Sequence, residues 1–286
     1  MIRSVLLALD STAASQSALT ATIEFCKRYV ESSADAEPIH LTGIAVVDSP
    51  TIQRPMAAPI GGSSFKKDRD EALMADAKLK TESILSEFEY KCKEANLPHT
   101  GVRSEGLPYE QIEKEARTHD LIMIGRDTNF HYETSNSVGE TVRKLLHDNA
   151  RPVMVCTDQI PEIRKVVITY DGSIPSSHAL HMWTLLGLRS AETRVHVVSV
   201  SKDLAKAESR VKEAQAMLKF HHIESEGHAV KRTGSVVAAL QAKINEIDPR
   251  VVVMGAYGQG GLKETFFGSS TNKMLEETKC PLFLYK

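Results

Sequence analysis

The sequence of 286 residues has no long apolar run, no excess of one charge and no CxxC pair. Near the N-terminus, the apolar run from Val5 to Leu9 is too short for the apolar region of a signal peptide or for a membrane span. The 35 basic residues balance 37 acidic ones, and the net charge of −2 gives no basic field that would attract nucleic acid. We therefore expect a cytoplasmic protein without membrane insertion and without a nucleic-acid partner.

Motifs of the common catalytic sites are also absent. The sequence contains no GxSxG, no HExxH and no Walker A motif. Asp10 and Asp171 each follow a predicted strand, but neither has the DxD context that the catalytic aspartates of some hydrolases need. Cys156 and Cys280 lie in apolar segments, which is typical of buried thiols. These features favour a binding protein over an enzyme, and we predict no catalytic residues.

The histidines do not form a set with recognisable metal-ligand spacing. His178 and His181 would share one face of a helix, and His221, His222 and His228 lie in the same half of the chain. A zinc site made from them is conceivable, but no cysteine or carboxylate with ligand spacing accompanies them. The sequence therefore favours solvated surface histidines, and we predict no metal site.

The sequence does contain an internal repeat. A short apolar segment that ends in an aspartate occurs near the N-terminus, at Asp10, and again near the middle, at Asp171. Later in each half, a glycine precedes a proline by 13 residues, at Gly139 and at Gly268. Repeated segments in the same order and at matching spacing indicate two copies of one structural unit.

Each half shows apolar segments that alternate with helical patterns, in the order β-α-β-α-β-α-β-α-β. This alternation predicts an α/β fold with a parallel sheet covered by helices on both faces. We place the domains at 1–158 and 159–286. The first is longer by about 31 residues, mostly around a Pro-, Gly- and Ser-rich loop at 50–64 and the helix after it. Ligands of such folds bind at the carboxyl ends of the strands, where the strand order reverses.

A glycine-rich segment follows the fourth predicted strand of the second half. Four glycines lie within residues 255–261, and Gly268-Ser269-Ser270-Thr271 then begins a predicted helix. Glycines let the backbone approach a ligand closely, and a helix N-terminus with free N–H groups and hydroxyls suits a phosphate. A tight loop with a serine N-cap and no ligand would show the same pattern.

The spacing Gly255-x2-Gly258-x9-Gly268-Ser269 resembles the ATP-binding signature of the universal stress protein family. Asp171 and the C-terminal ProLeuPheLeuTyr segment match the family as well, and the resemblance covers both halves. It implies two tandem Rossmann-like domains, similar to adenine nucleotide alpha hydrolases, each with a five-stranded parallel sheet. It also implies pairing of the two domains through their last strands, and ATP, with or without Mg²⁺, as the ligand. A homodimer and unidentified protein partners remain open.

The resemblance also assigns positions around the nucleotide, all of them in the second half. They are Asp171 on the ribose or adenine side, Val200 against adenine, Met254 and Gly255 under the nucleotide, Tyr257 and Gly258 along the phosphate path, and Gly268, Ser269, Ser270 and Thr271 around the phosphates.

The first half departs from this signature. Thr128 replaces the second glycine, one residue is added before Gly139, and Glu140 replaces the phosphate-binding serine, while Asp10 and Gly125 are retained. A carboxylate at position 140 would repel a phosphate, although a glutamate is also a favourable residue for the first turn of any helix. We predict that the first half does not bind ATP normally and has a structural or regulatory role.

Three functions remain in competition. The first is a nucleotide-dependent regulatory or interaction module of the stress response. The second is an enzyme that hydrolyses ATP slowly or phosphorylates itself at the hydroxyls of Ser269–Thr271. The third is an interaction protein that binds no nucleotide.

Overall fold

The computed structural model describes residues 1–31, 37–55, 63–130, 138–148, 151–158, 164–190, 192–256 and 269–286. Strands and helices alternate along these residues as the sequence predicts. The strands are β1 Ser4–Ala8, β2 His40–Val47, β3 His99–Glu105, β4 Leu121–Gly125, β5 Val153–Cys156, β6 Lys165–Thr169, β7 Arg194–Ser201, β8 Ser225–Lys231, β9 Val251–Gly255 and β10 Leu282–Tyr285. The helices are α1 Ala13–Glu31, α2 Ser49–Ile52, α3 Ser63–Glu94, α4 Pro108–Ala116, α5 Glu140–Asp148, α6 Ile174–Leu186, α7 Leu204–Phe220, α8 Val236–Ile247 and α9 Ser269–Glu277.

The contacts divide the chain into two compact units. We call Arg3–Val142 the N-terminal unit, and Arg143–Lys286 together with Met1–Ile2 the C-terminal unit. The division falls inside α5, whereas the repeat placed the domain boundary between residues 158 and 159. The boundary between residues 158 and 159 follows from the sequence repeat and stays a prediction.

The N-terminal unit contains four parallel strands in the order β3-β2-β1-β4. Neighbouring residues of a strand point to opposite faces of the sheet, and both Leu6 and Leu7 of β1 are fully buried. The central strand is therefore a continuous apolar run because both of its faces are covered. The extra length of this half lies largely in α3, which has 32 residues where its counterpart α7 has 17. Part of the predicted loop forms α2, and residues 56–62 lie outside the described part of the chain.

The C-terminal unit contains six strands in the order β5-β10-β9-β6-β7-β8. All neighbours are parallel except β10 and β5, which pair antiparallel with Phe283 opposite Met154. These are the last strands of the two repeats, which is the strand pairing that the family resemblance implies. Trp183 of α6 is 1% exposed and belongs to the core. No helix in the described part of the chain is long and apolar enough to cross a membrane.

Both units reverse their strand order at the same place. In the N-terminal unit the chain runs from β1 outward to β2 and β3, and then crosses to β4 on the other side of β1. In the C-terminal unit it runs from β6 outward to β7 and β8, and then crosses to β9 on the other side of β6. Such a reversal is where ligands of open α/β sheets bind. We call these places the β1/β4 and the β6/β9 switch points.

Candidate functional site

Three of the predicted site residues lie at the carboxyl ends of neighbouring strands in the C-terminal unit. Asp171 follows the end of β6 by two residues, Val200 is the last residue but one of β7, and Gly255 ends β9. The order β9-β6-β7 makes these three strands neighbours. The fold therefore brings the three residues to the same edge of the sheet, around the β6/β9 switch point.

Asp171 is exposed at this switch point, and the start of α6 holds it in place. The backbone N–H of Ser173 donates to Oδ1 of Asp171 at 2.9 Å, and the Ser173 side chain caps α6 by accepting from the N–H of Ser176. Partial burial favours the neutral acid. Hydrogen bonds from Ser173 and Ser176 and the positive charge of Arg210 outweigh that burial and lower the pKa of Asp171. The side chain is therefore a carboxylate at neutral pH, available at the edge of the sheet.

Val200 offers unused backbone groups next to this carboxylate. The N–H of Tyr170 donates to the carbonyl oxygen of Val198 at 2.9 Å, so the backbone of Val198 points towards β6. Backbone direction alternates along a strand, so the N–H and C=O of Val200 point the same way, past the last β6–β7 pair at Thr169. None of the residues that the structure describes bonds to these two groups. They leave one donor and one acceptor facing the β6/β9 switch point.

Gly255 has a packing role that the sequence alone did not show. A Cβ atom at this position would lie 2.5 Å from the backbone nitrogen of Ser176 and 2.5 Å from the carbonyl carbon of Pro175. Only glycine lets α6 approach β9 this closely. Met254, the preceding residue, is 6% exposed and points to the other face of the sheet. The N-terminus of α6, with Ser173 and Asp171 beside it, is thereby drawn against the end of β9.

The remaining predicted residues belong to the segment between β9 and α9. Tyr257, Gly258 and Gly268 lie outside the described residues, as does the side chain of Ser269, the first residue of α9. Ser270 is half-buried, and Thr271 is 3% exposed. Contact of these residues with a phosphate stays a prediction.

The equivalent place in the N-terminal unit is closed by the chain itself. Asp10 is fully buried, and its Oδ1 accepts from the N–H and the hydroxyl of Thr12 at 3.0 and 2.7 Å. Its Oδ2 accepts from the backbone N–H groups of Asn129 and Phe130, at 2.9 and 3.4 Å. The segment after β4 thus folds over the β1/β4 switch point and bonds to Oδ2, while Thr12 bonds to Oδ1, so both oxygens of the aspartate have partners.

Sequence reasoning missed two contributors to these sites. Arg210 lies in the middle of α7, and its Nε would be 3.3 Å from a Cβ atom placed on Gly172. No local pattern connects an arginine in a helix to an aspartate 39 residues earlier. Ser173 could have been found, because a serine just before a helical pattern predicts an N-cap.

The four cysteines are free and buried in the structure, as predicted for Cys156 and Cys280. Burial raises the pKa of Cys26, Cys156 and Cys280 to about 12 and that of Cys92 to about 11. Thiols with such pKa values are protonated at neutral pH and are poor nucleophiles.

Residues 162–286 match the sequence model of the Universal stress protein family. A universal stress protein from Synechocystis sp. is 24% identical over 176 residues, which are 58% of this chain and 58% of that relative. The chain thus matches less than two thirds of the relative's length.

Two solved structures resemble the chain over its whole length. A universal stress protein from Archaeoglobus fulgidus DSM 4304 has 20% identity and a TM-score of 0.68, and covers 99% of this chain and 98% of its own. A functionally unknown protein from Pseudomonas aeruginosa PAO1 has 16% identity and a TM-score of 0.57, and covers 100% of this chain and 92% of its own. These likenesses establish the fold of both halves. The sequence match to the universal stress protein family covers the second half of the chain, residues 162–286.

Proposed function

We propose that the second half binds ATP at the β6/β9 switch point and that the protein acts as a nucleotide-dependent regulatory or interaction module. One observation carries this proposal. At this switch point, an exposed carboxylate lies near a backbone edge that no described residue uses, whereas Asn129 and Phe130 cover the equivalent aspartate of the N-terminal unit. Hydrogen-bonding groups that no described residue occupies can bind a ligand, whereas the oxygens of Asp10 already have partners within the chain.

The nucleoside would be bound by groups at the ends of β6 and β7. The N–H and C=O of Val200 supply the donor and acceptor that the edge of an adenine ring requires. Asp171, ionised at neutral pH, would accept hydrogen bonds from the ribose hydroxyls or from the adenine amino group. Both contacts are directional, so they would orient the nucleotide as well as hold it.

The phosphates would extend along the glycine-rich segment towards the start of α9. Gly258 and Gly268 would let the backbone approach the phosphates, and Ser269, Ser270 and Thr271 lie in the first turn of a nine-residue helix. The charge of Arg210 acts on Asp171 and adds a cation to this region. Mg²⁺ would accompany ATP through the phosphate oxygens, as it does at many nucleotide sites.

Enzymatic turnover remains the alternative. It would need a hydroxyl or a water molecule aligned with the γ-phosphate and a base to take its proton. The buried side chain of Thr271 does not favour a phosphorylated hydroxyl at that position. Release of ADP from the purified chain over hours would support the enzyme, and unchanged ATP would support the binding module.

The first experiment identifies the ligand. Protein purified without added nucleotide is denatured, and the released small molecules are analysed by mass spectrometry, followed by calorimetric titration of the stripped protein with AMP, ADP and ATP. We expect one adenine nucleotide per chain, not two, with a Kd in the micromolar range or tighter. Absence of both a bound nucleotide and any micromolar affinity would contradict the proposal and leave the nucleotide-free interaction protein.

The second experiment tests the carboxylate. Asp171→Asn keeps an acceptor for the Ser173 N–H but removes the charge, and should weaken ATP binding by about tenfold, which corresponds to one charge-assisted hydrogen bond. Asp248→Asn is the matched control. It makes the same chemical change at the end of α8. Because Asp248 precedes the start of β9 by three residues, it lies at the opposite end of that strand from the switch point. Equal affinities of the two variants would exclude Asp171 from the site.

A further inference from the structure

Two histidines and a glutamate meet at the edge of the C-terminal unit's sheet, away from the β6/β9 switch point. His196 lies on β7, and Glu226 and His228 lie on β8, the last strand of that sheet. Nδ1 of His196 is 3.1 Å from Nε2 of His228. Oxygens of Glu226 are 3.5 Å from Nδ1 of His196 and 3.6 Å from Nε2 of His228.

The strand register places the three side chains on one face. Glu226 is directly opposite His196 in the β7–β8 pairing, and His228 follows Glu226 by two residues. A Cβ atom on Gly227, between them, would lie within contact distance of Val211 of α7. Side chains of successive residues alternate between faces, so Glu226 and His228 point away from α7. The charges of Lys243 and Glu246, both on α8, act on His228.

The three side chains are close enough to share one metal ion. Zn²⁺ binds nitrogen and carboxylate oxygen at about 2.0–2.2 Å, and two ligands of a tetrahedral ion are therefore separated by about 3.3–3.6 Å. The two nitrogens are 3.1 Å apart, close to this range, and each faces a different oxygen of Glu226, with Oε2 at 3.5 Å from Nδ1 of His196 and Oε1 at 3.6 Å from Nε2 of His228. One carboxylate oxygen and the two nitrogens lie within 4.8 Å of one another. Two imidazoles and one carboxylate are a ligand set that zinc uses in proteins, with a fourth position left to water. The side chain of Glu226 is 67% exposed, which leaves an approach from solvent.

Charged groups of both signs surround the cluster. Lys243 is compensated by its ion pair with Glu246 at 2.8 Å, whereas Lys165, whose ammonium donates to a neutral backbone carbonyl, keeps its charge and opposes a bound cation. Arg194, on the exposed start of β7, opposes a bound cation.

We propose that His196, Glu226 and His228 form a zinc site, with Nδ1 of His196, Nε2 of His228 and the Glu226 carboxylate as ligands. The sequence had predicted no metal site, because the histidines grouped with His228 there lie in helices and loops. The pairing could not be seen in the sequence, because His196 and His228 are 32 residues apart and meet only through the strand register. Without zinc, the same geometry is a hydrogen bond between two neutral imidazoles.

Binding is measured on the tag-free full chain by equilibrium dialysis against ZnCl₂ with metal analysis. Substitution by Co²⁺ is followed by visible absorption, which reports tetrahedral coordination. We expect one Zn²⁺ per chain in the micromolar range or tighter. Glu226→Gln should weaken zinc binding by at least about tenfold, and His228→Gln should abolish it. Failure of the unmodified chain to bind zinc overturns the proposal.

Two neighbouring exposed residues supply matched controls. Glu224→Gln and His221→Gln make the same chemical changes close to the cluster but outside it, and should leave zinc binding unchanged. Equal losses in the cluster and control variants would also overturn the proposal. Circular dichroism checks folding, and if His228→Gln does not fold, the exposed Glu226→Gln variant still decides. ATP binding, measured without zinc, should be the same in all four variants, which separates this site from the proposed nucleotide site.

Discussion

The two switch points of this chain carry equivalent aspartates in different environments. Asp10 and Asp171 follow equivalent strands, and each precedes the first helix of its repeat. Asp10 is fully buried and accepts four hydrogen bonds, two of them from the segment after β4. Asp171 is exposed, and among the described residues it accepts one backbone hydrogen bond, from Ser173, besides side-chain hydrogen bonds with Ser173 and Ser176. Within the residues that the structure describes, the first copy of this position is covered by its own chain and the second is exposed.

In the N-terminal unit, the covering of Asp10 comes in part from the segment that follows the fourth strand. In the N-terminal unit, Asn129 and Phe130 place backbone N–H groups where they reach Asp10, and Phe130 has a φ of 59°, unusual for an aromatic residue. Such a conformation costs about 1–3 kcal/mol and persists only where other contacts enforce it. Here burial of the ring and the bond to Asp10 enforce it. The charge of Glu140 predicted that the first half does not bind ATP normally. The hydrogen bonds that cover Asp10 are an independent reason for the same prediction.

The largest expected effect is on folding, and it should separate the two aspartates. Asp10→Ala leaves the N–H groups of Thr12, Asn129 and Phe130 buried without their acceptor and should lower the free energy of unfolding by about 3–5 kcal/mol. Asp171→Ala removes the part-buried backbone hydrogen bond from Ser173 and the side-chain hydrogen bonds with Ser173 and Ser176 at an exposed site, and should cost less, about 1 kcal/mol. Urea denaturation monitored by circular dichroism measures both. Similar losses in the two variants would mean that Asp171 is also covered by its own chain.

Much of this architecture could be predicted from the sequence, because it depends on local patterns and on repetition. Alternating apolar segments and helices predicted the strand order along the chain, and the strand-end aspartates located both switch points. The closure of Asp10 could not be predicted, since the atoms that close it are backbone N–H groups 119 and 120 residues away. Arg210 and the His196–Glu226 contact were missed for the same reason: neither has a local pattern, and the fold alone joins them.

The strand-end glycines should behave alike, which tests whether the two units share their packing. A Cβ atom on Gly125 would lie 2.5 Å from the backbone nitrogen of Ser15, and one on Gly255 would lie 2.5 Å from that of Ser176. Each Gly→Ala variant should therefore lose about 1–3 kcal/mol of stability, because the first helix of its unit must move away. Gly234→Ala is the control, since a Cβ atom there meets nothing within 4 Å.

Thermal or urea unfolding measures this prediction as well. A Gly255→Ala variant of normal stability that no longer binds ATP would contradict it. That result would mean that the glycine serves the ligand rather than the approach of α6 to β9.

The smallest expected effect is on stability. Substitution of Asp127 and substitution of Asp171 should change the free energy of unfolding in opposite directions. Burial raises the pKa of Asp127, beside the β1/β4 switch point, with a further rise from Asp10 that the Thr12 hydrogen bond opposes. The pKa of Asp171 is lowered. A raised pKa contributes stability below the unfolded value of about 3.9 that is lost as the pH rises through the folded value, so an ionised Asp127 destabilises the protein at neutral pH. A lowered pKa contributes stability above that unfolded value, and it is lost as the pH falls through the folded value.

Asp127→Asn should therefore stabilise the protein at pH 7, by about 1 kcal/mol or less, and the gain should fade as the pH approaches 4. Asp171→Asn should slightly destabilise it at pH 7, with a loss that shrinks as the pH falls below 4. Urea denaturation of both variants and the unmodified chain at pH 7 and at pH 4 measures the two trends. If both substitutions shift stability in the same direction at pH 7, the environments of Asp127 and Asp171 do not differ electrostatically in the way that their opposite pKa shifts imply.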